Sequence, residues 1–106
     1  MQAVRLFQGY LWHPKEASLD PRALLPGEVL GARLLIDPLP PPTPVIVDGT
    51  PTATQAFYQV TLLLLTEEAP EALKPLAERV AEALREHLEG LPPGVGWLLL
   101  EDLRPL

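Results

Sequence analysis

The chain contains no cysteine and no asparagine, and its one methionine is Met1. Without cysteine it can form no disulfide framework, no thiolate zinc site and no iron–sulfur cluster, and it has no cysteine nucleophile. Ser18 is the one serine, and no G-x-S-x-G elbow surrounds it. The lack of residues prone to oxidation and deamidation, together with 14 prolines, predicts a thermophilic source.

Basic residues are also few. Eight Lys and Arg against 14 Asp and Glu give a formal net charge of −6, which argues against a surface for nucleic acid or anionic membranes. No apolar run approaches the roughly 20 residues that a membrane-spanning helix needs, and no segment resembles a secretory leader. We therefore expect a cytoplasmic protein that binds neither nucleic acid nor membrane.

The length predicts one domain over residues 1–106, and a hydrophobic content of 47% suits a small globular core. The prolines concentrate in a loop at 37–44, where five of seven residues from Pro38 to Pro44 are proline. Such a run predicts an extended polyproline II spacer between two strands, with a docking segment as the alternative. Residues 48–55 predict a second, exposed loop.

The N-terminal segment fits two patterns. Its apolar residues match one face of a strand, Val4, Leu6, Tyr10 and Trp12, and they also match a helical stripe, Val4, Phe7 and Leu11. We favour the strand. Residues 15–25 lie between prolines and predict a loop with at most one helical turn.

Four further segments predict strands: 31–36, ended by Asp37; 45–47, followed by an Asp48-Gly49 turn; 57–66; and 95–100. The strand at 57–66 alternates in its first half and is apolar on both sides in its second half. We expect it to begin half exposed and to end buried at the centre of the sheet.

The C-terminal part predicts one main helix at about 71–89. Its apolar residues fall on one side: Leu73, Leu76, Ala77, Val80, Leu84 and Leu88. Pro75 predicts a kink or a start of regular helix near residue 75, and Gly90 predicts the C-cap. The fold class is therefore α+β, with a small mixed or antiparallel β-sheet packed against this helix. The order strand, helix, strand favours a crossover in a mixed sheet.

No residue set predicts chemistry. Neither His13 nor His87 has a second histidine at metal-ligand spacing. Glu101 and Asp102 follow the last predicted strand and suggest solvated carboxylates. We predict no catalytic residue, no cofactor and no metal site.

Surface features predict association instead. Glu78, Glu82 and Glu86 form an i, i+4 ladder, which indicates a solvated helix face or a surface for a basic partner. We expect Arg33 and the prolines at 38–44 to blunt one sheet edge, and we predict a homo-oligomer with contacts from 38–55. The candidate interface residues are Arg33, Pro40, Pro41, Pro42, Asp48, Glu78, Glu82 and Glu86.

The organisation of residues 30–106 resembles a known family. A short strand leads through "PLPPPTP" into Val45-Ile46-Val47, and "QAFYQVTLLLLTEEAPEALKPLAERVAEAL" and a final strand follow. This order is similar to that of the tail-terminator or tail-completion proteins of long-tailed phages. The resemblance implies one α+β domain that forms a ring at the head-tail joint. It also implies tail-tube or head-connector partners and a place in the virion.

Three classes of function stay open. The first is a structural assembly protein of the tail-completion kind, which the absence of a catalytic signature favours. The second is a small ferredoxin-like regulatory or interaction module that dimerises through its sheet. The third is a ligand-binding protein or enzyme whose site, made of carboxylates and a histidine, is completed across a subunit interface.

Overall fold

The computed structural model describes residues 1–39 and 55–106, and five strands of these residues form one sheet. Their bounds are β1 Gln2–Pro14, β2 Glu28–Val29, β3 Ala32–Pro38, β4 Gln55–Thr66 and β5 Gly96–Pro105. The order across the sheet is β2-β3-β4-β1-β5, and every neighbouring pair is antiparallel. The predicted α+β class is confirmed, with an antiparallel sheet. The predicted strand at 45–47 lies outside the described residues.

The N-terminal strand decides the topology. β1 pairs along most of its length with β4 on one side and with β5 on the other. β4 and β5 therefore run parallel to each other without touching, and the main helix connects them. The sequence suggested that the strands before and after α2 are joined by a crossover, and the structure has this connection between β4 and β5. The sheet is nevertheless antiparallel throughout, because β1 lies between these two strands and runs antiparallel to both.

A β-bulge in β1 explains why the N-terminal pattern was ambiguous. The register with both neighbours shifts between Arg5 and Phe7, so that Leu6 and Phe7 both contribute to the core. Val4 and Leu11 point to the same side, whereas Tyr10 lies on the opposite face. The expectation that Val4, Leu6, Tyr10 and Trp12 share one face is wrong, because the extra residue reverses the alternation.

Each helix of the described residues has a proline in its first turn. α1 (Pro21–Leu24) is a single turn, and its N-cap Asp20 accepts a hydrogen bond from the Arg22 backbone N–H at 3.1 Å. Residues 70–73 form a 3₁₀ turn that leads into α2 (Lys74–Glu89), with Pro75 in the first turn of α2. The predicted start of regular helix near residue 75 and the predicted Gly90 cap are both confirmed.

The core lies between α2 and one face of the sheet. From the helix it takes Leu73 in the 3₁₀ turn and Ala77, Val80, Ala81, Leu84 and Leu88 in α2. From the sheet it takes Val4, Leu6, Phe7, Leu11, Val29, Ala32, Leu34, Ile36, Val60 and Leu62. We call the face of the sheet that packs on α2 the inner face and the opposite one the outer face.

Two predicted strands differ from the structure at their ends. β4 ends exposed, not buried, because Leu65 lies on the outer face and is 69% exposed. β5 continues five residues beyond the predicted end at Leu100, because its second half pairs with the first residues of β1. Glu101 and Asp102 are therefore strand residues. β3 likewise continues through Asp37 to Pro38.

One sheet edge is closed by groups that the sequence did not indicate. β2 pairs only with the first two residues of β3. Beyond it, the Leu34 N–H donates to the Gly27 carbonyl at 2.9 Å, and the Arg22 Nε–H donates to the Ile36 carbonyl at 2.8 Å. Arg33 does not blunt this edge as expected, because it is paired with Glu28 of β2 on one side and with Leu63 of β4 on the other.

Replacing Leu84 with alanine is expected to lower the free energy of unfolding by about 2–5 kcal/mol, because this fully buried side chain leaves a cavity between α2 and the sheet. Urea unfolding followed by circular dichroism measures the loss. The control, Glu82→Ala, changes an exposed residue of the same helix and should stay within about 0.5 kcal/mol of the parent. A similarly small loss for Leu84→Ala would contradict the packing.

Gly9→Ala is expected to cost about 2 kcal/mol or more, because a Cβ at this position would overlap the Leu98 carbonyl oxygen of β5 and force two paired strands apart. Gly27→Ala is the matched control, since a Cβ there meets nothing within 4 Å. The same unfolding measurement applies. Equal losses in the two variants would show that β1 and β5 do not approach as closely as described.

Candidate functional site: the outer face of the sheet

The outer face of the sheet carries no helix or strand of the described residues. Helix α2 lies on the inner face, where the buried cluster forms. Antiparallel sheets in proteins commonly leave one face to solvent, and that face is then polar. Here it is mixed: Leu100 is 53% exposed and Leu98 is 39% exposed, both next to polar neighbours. This exposed, partly apolar face is the candidate site.

Strand register arranges the outer face in three rows that run across four strands, in the order β3, β4, β1, β5. The arginine row is Arg33, Leu63, Arg5 and Arg104. The middle row is Leu35, Thr61, Gln8 and Leu100. The aspartate row is Asp37, Gln59, Tyr10 and Leu98. The bulge in β1 separates the first two rows.

Asp102 organises the β5 end of the arginine row. Its carboxylate accepts from Arg5 at 2.5 Å through one oxygen and from the Arg104 Nε–H at 2.6 Å through the other. The Arg5 and Asp102 side chains are only 19% and 20% exposed, so this charge-assisted pair is partly shielded from water. One carboxylate serves two guanidinium groups, and with Arg33 the row keeps a net positive charge on an acidic protein.

Two aromatic side chains close the outer face beyond the aspartate row. Trp12 and Phe57 are paired across β1 and β4, with ring centroids 5.9 Å apart and planes inclined by 31°. Both are buried. The indole lies over Gly96 of β5, where a Cβ would overlap it. These rings are therefore already packed, and the accessible surface is formed by the three rows and, beyond the arginine row, by Leu65.

His13 is the buried polar side chain of the described core, and it lies with Tyr58 rather than at the outer face. Its Nδ1–H donates to the Pro14 carbonyl at 2.8 Å, and its Nε2 accepts from the Tyr58 hydroxyl at 2.9 Å. The two rings stack with centroids 5.4 Å apart. Both ring nitrogens are engaged, so neither is free to bind a substrate or metal.

Part of the predicted interface lies on this face and part does not. Arg33 is exposed in the arginine row. Glu78, Glu82 and Glu86 are exposed on α2, on the other side of the sheet, so they do not join Arg33 in one site. The other four predicted residues, Pro40, Pro41, Pro42 and Asp48, lie outside the described residues.

Sequence reasoning missed the residues that complete the face. The alternation of Leu98 and Leu100 with Trp97 and Leu99 predicts a strand, but this predicted strand ends at Leu100. The predicted strand therefore leaves out Asp102 and Arg104, which the structure places beside Arg5. The signal that could have found them is the continued alternation of residues 96–104, with Asp102 and Arg104 on the same face as Leu98.

One family model, described as "Protein of unknown function (DUF3208)", matches residues 1–106. The chain belongs to the DUF3208 family. No curated protein matches it. Among the described residues of this DUF3208 protein there is no group of three or more side chains that could hold a metal ion. Within the same residues, no helix is long and apolar enough to cross a membrane.

Asp102→Ala is expected to lower the free energy of unfolding by about 1–3 kcal/mol, because it leaves the shielded Arg5 guanidinium without its carboxylate. Arg104→Ala removes the other partner, whose side chain is 64% exposed, and should cost less than about 1 kcal/mol. Thermal or urea unfolding compares the two. Equal costs would mean that Arg5 does not depend on Asp102.

Proposed function

We propose that this protein is a structural assembly protein, and that it acts by binding a second copy of itself through the outer face rather than by catalysing a reaction. The single observation that carries the proposal is the outer face. It presents leucines at 39% and 53% exposure beside a row of arginines, and no described element covers it. Exposed apolar surface rimmed by charge is typical of a protein interface.

The charge of the face favours a copy of this chain as the partner. The face carries Arg5, Arg33 and Arg104 together with Asp37 and Asp102. A second copy can therefore place its carboxylates opposite these arginines and its arginines opposite these carboxylates. A purely acidic or purely basic partner would match only one part of it. Self-complementarity of this kind is what a two-fold interface requires, since the same patch serves both subunits.

The size of the face suits a dimer of modest stability. Four strands spaced by about 4.8 Å give the face a width of roughly 20 Å. Three to four outward-facing residues along each strand, one at every second position, give it a length of roughly 20–25 Å. Two such faces in contact remove on the order of 1,000 Å² from water, which is at the lower limit for a specific interface. We therefore expect association that depends on protein concentration.

The tail-completion resemblance is one specific form of this proposal. It requires a ring at the head-tail joint and binding to tail-tube or head-connector proteins, in addition to self-association. Adjacent tail-tube, tape-measure or portal genes and capture of a tube protein by the purified chain would support it. If the gene lies in an isolated housekeeping context and the purified chain captures no tube protein, the second class of function, a dimerising interaction module, would be favoured instead.

Leu100→Lys is expected to shift the protein to monomer, because it places a charge in the apolar middle row. Leu24→Lys is the matched control, since Leu24 is 45% exposed but lies on α1. Sedimentation or light scattering at two protein concentrations and two salt concentrations measures the masses. A wild-type monomer under every condition would contradict the proposal, as would a Leu100→Lys protein that associates like Leu24→Lys.

A further inference from the structure

We infer that the two copies stack outer face to outer face about a two-fold axis that lies along the middle row, so that Arg33 of each copy faces Asp37 of the partner subunit. This inference rests on the proposed function, because it gives the geometry of the same contact. The contact consists of a specific charge pair in a specific register. Both follow from the row arrangement described above.

The position of the axis determines which rows meet. A two-fold axis between stacked faces lies in the plane of the interface. When it runs along the middle row, each strand lies over its own copy, and the two flanking rows exchange places. The arginine row of one subunit then covers the aspartate row of the other. The middle row covers itself, so that Leu35 and Leu100 each approach the same residue of the partner subunit.

The three arginines of the arginine row gain suitable neighbours in this register. Arg33 faces Asp37 of the partner subunit, because both are on β3. Arg5 faces Tyr10 of the partner subunit on β1, where a guanidinium can rest on the phenol ring. On β5, Leu98 of the partner subunit faces Asp102, two residues beyond Leu100, and the aliphatic stem of the neighbouring Arg104 can cover Leu98. Every contact occurs twice in the dimer.

Other axes bring like charges together. An axis parallel to the strands, or one that lies along the arginine row, places the arginine row of one copy over the arginine row of the other. With the axis along the arginine row, each arginine faces its own copy, and with an axis parallel to the strands between β4 and β1, Arg33 faces Arg104 of the partner subunit. Asp102 is the one carboxylate among these arginines in each copy. Opposed like charges cost free energy at an interface and exclude wrong registers. The charge pattern therefore favours the middle row as the axis.

Arg33 and Asp37 are available for this contact. Both are exposed, and neither forms an ion pair with another described residue. Glu28 of β2 lies directly opposite Arg33 in the register, and it is the competing carboxylate within one copy. Aligned sheets pack about 10 Å apart, which a long arginine side chain and an aspartate can bridge.

A charge exchange tests the pair. Arg33→Asp and Asp37→Arg should each raise the dimer dissociation constant at least about tenfold, because two like-charge contacts replace two attractive ones. The double variant restores opposite charges and should return to within about threefold of the parent. Glu82→Arg, a reversal on the other side of the sheet, is the control and should leave the dissociation constant unchanged.

Cross-linking tests the face-to-face stacking independently of the charge pair, and the absence of native cysteine makes single-cysteine variants clean reporters. Thr61 lies in the middle row on β4. In the stacked dimer, Thr61→Cys should cross-link through a bismaleimide that spans the about 10 Å between packed sheets. If the subunits instead paired edge to edge through β5, five strand spacings, or about 24 Å, would separate the two cysteines and prevent the cross-link.

The outcomes separate this inference from the proposed function. Rescue by the double variant together with the Thr61→Cys cross-link supports the stacked register. If Leu100→Lys abolishes association but the double variant shows no rescue, the register is overturned and self-association through the outer face stands. If association survives Leu100→Lys and Thr61→Cys does not cross-link, both the register and the use of this face are wrong.

Discussion

The structure depends on one helix packing on one face of a five-stranded sheet. α2 supplies five buried side chains, and with the preceding 3₁₀ turn they form a core with the inner face. A single helix is about 10 Å wide and has one apolar stripe, so it can cover only one side of the sheet. Because the described residues supply one main helix for a two-sided sheet, the outer face is left without a helix. The proposed function follows from this uncovered face.

The sheet holds together through β1. This strand contacts both β4 and β5, and its bulge turns Leu6 and Phe7 into the core while leaving Arg5 on the outer face. The bulge thus increases the apolar contribution of a short segment to the core. It also places Arg5 within reach of Asp102, on a part of β5 that follows the apolar stretch. Stability and the charge pattern of the outer face have a common origin in this irregularity.

Local sequence signals predicted most of the elements. The apolar stripe of α2, the start near Pro75, the Gly90 cap and the alternation in β3 and β4 all correspond to what the structure contains. These features depend on residues close in the chain, where periodicity and capping act. The bulge in β1 was not predicted, because one inserted residue makes a strand resemble a helical stripe.

By itself, then, the sequence determined the class of fold, the covered face of α2, the acidic charge and the absence of cysteine chemistry. Tertiary structure alone decided that β1 lies between β4 and β5, that β5 continues to Pro105, and that Arg33, Arg5 and Arg104 form one row. The reason is physical. Periodicity reports which side of an element is buried, whereas a row across a sheet depends on the register between segments up to about a hundred residues apart, which local patterns do not encode.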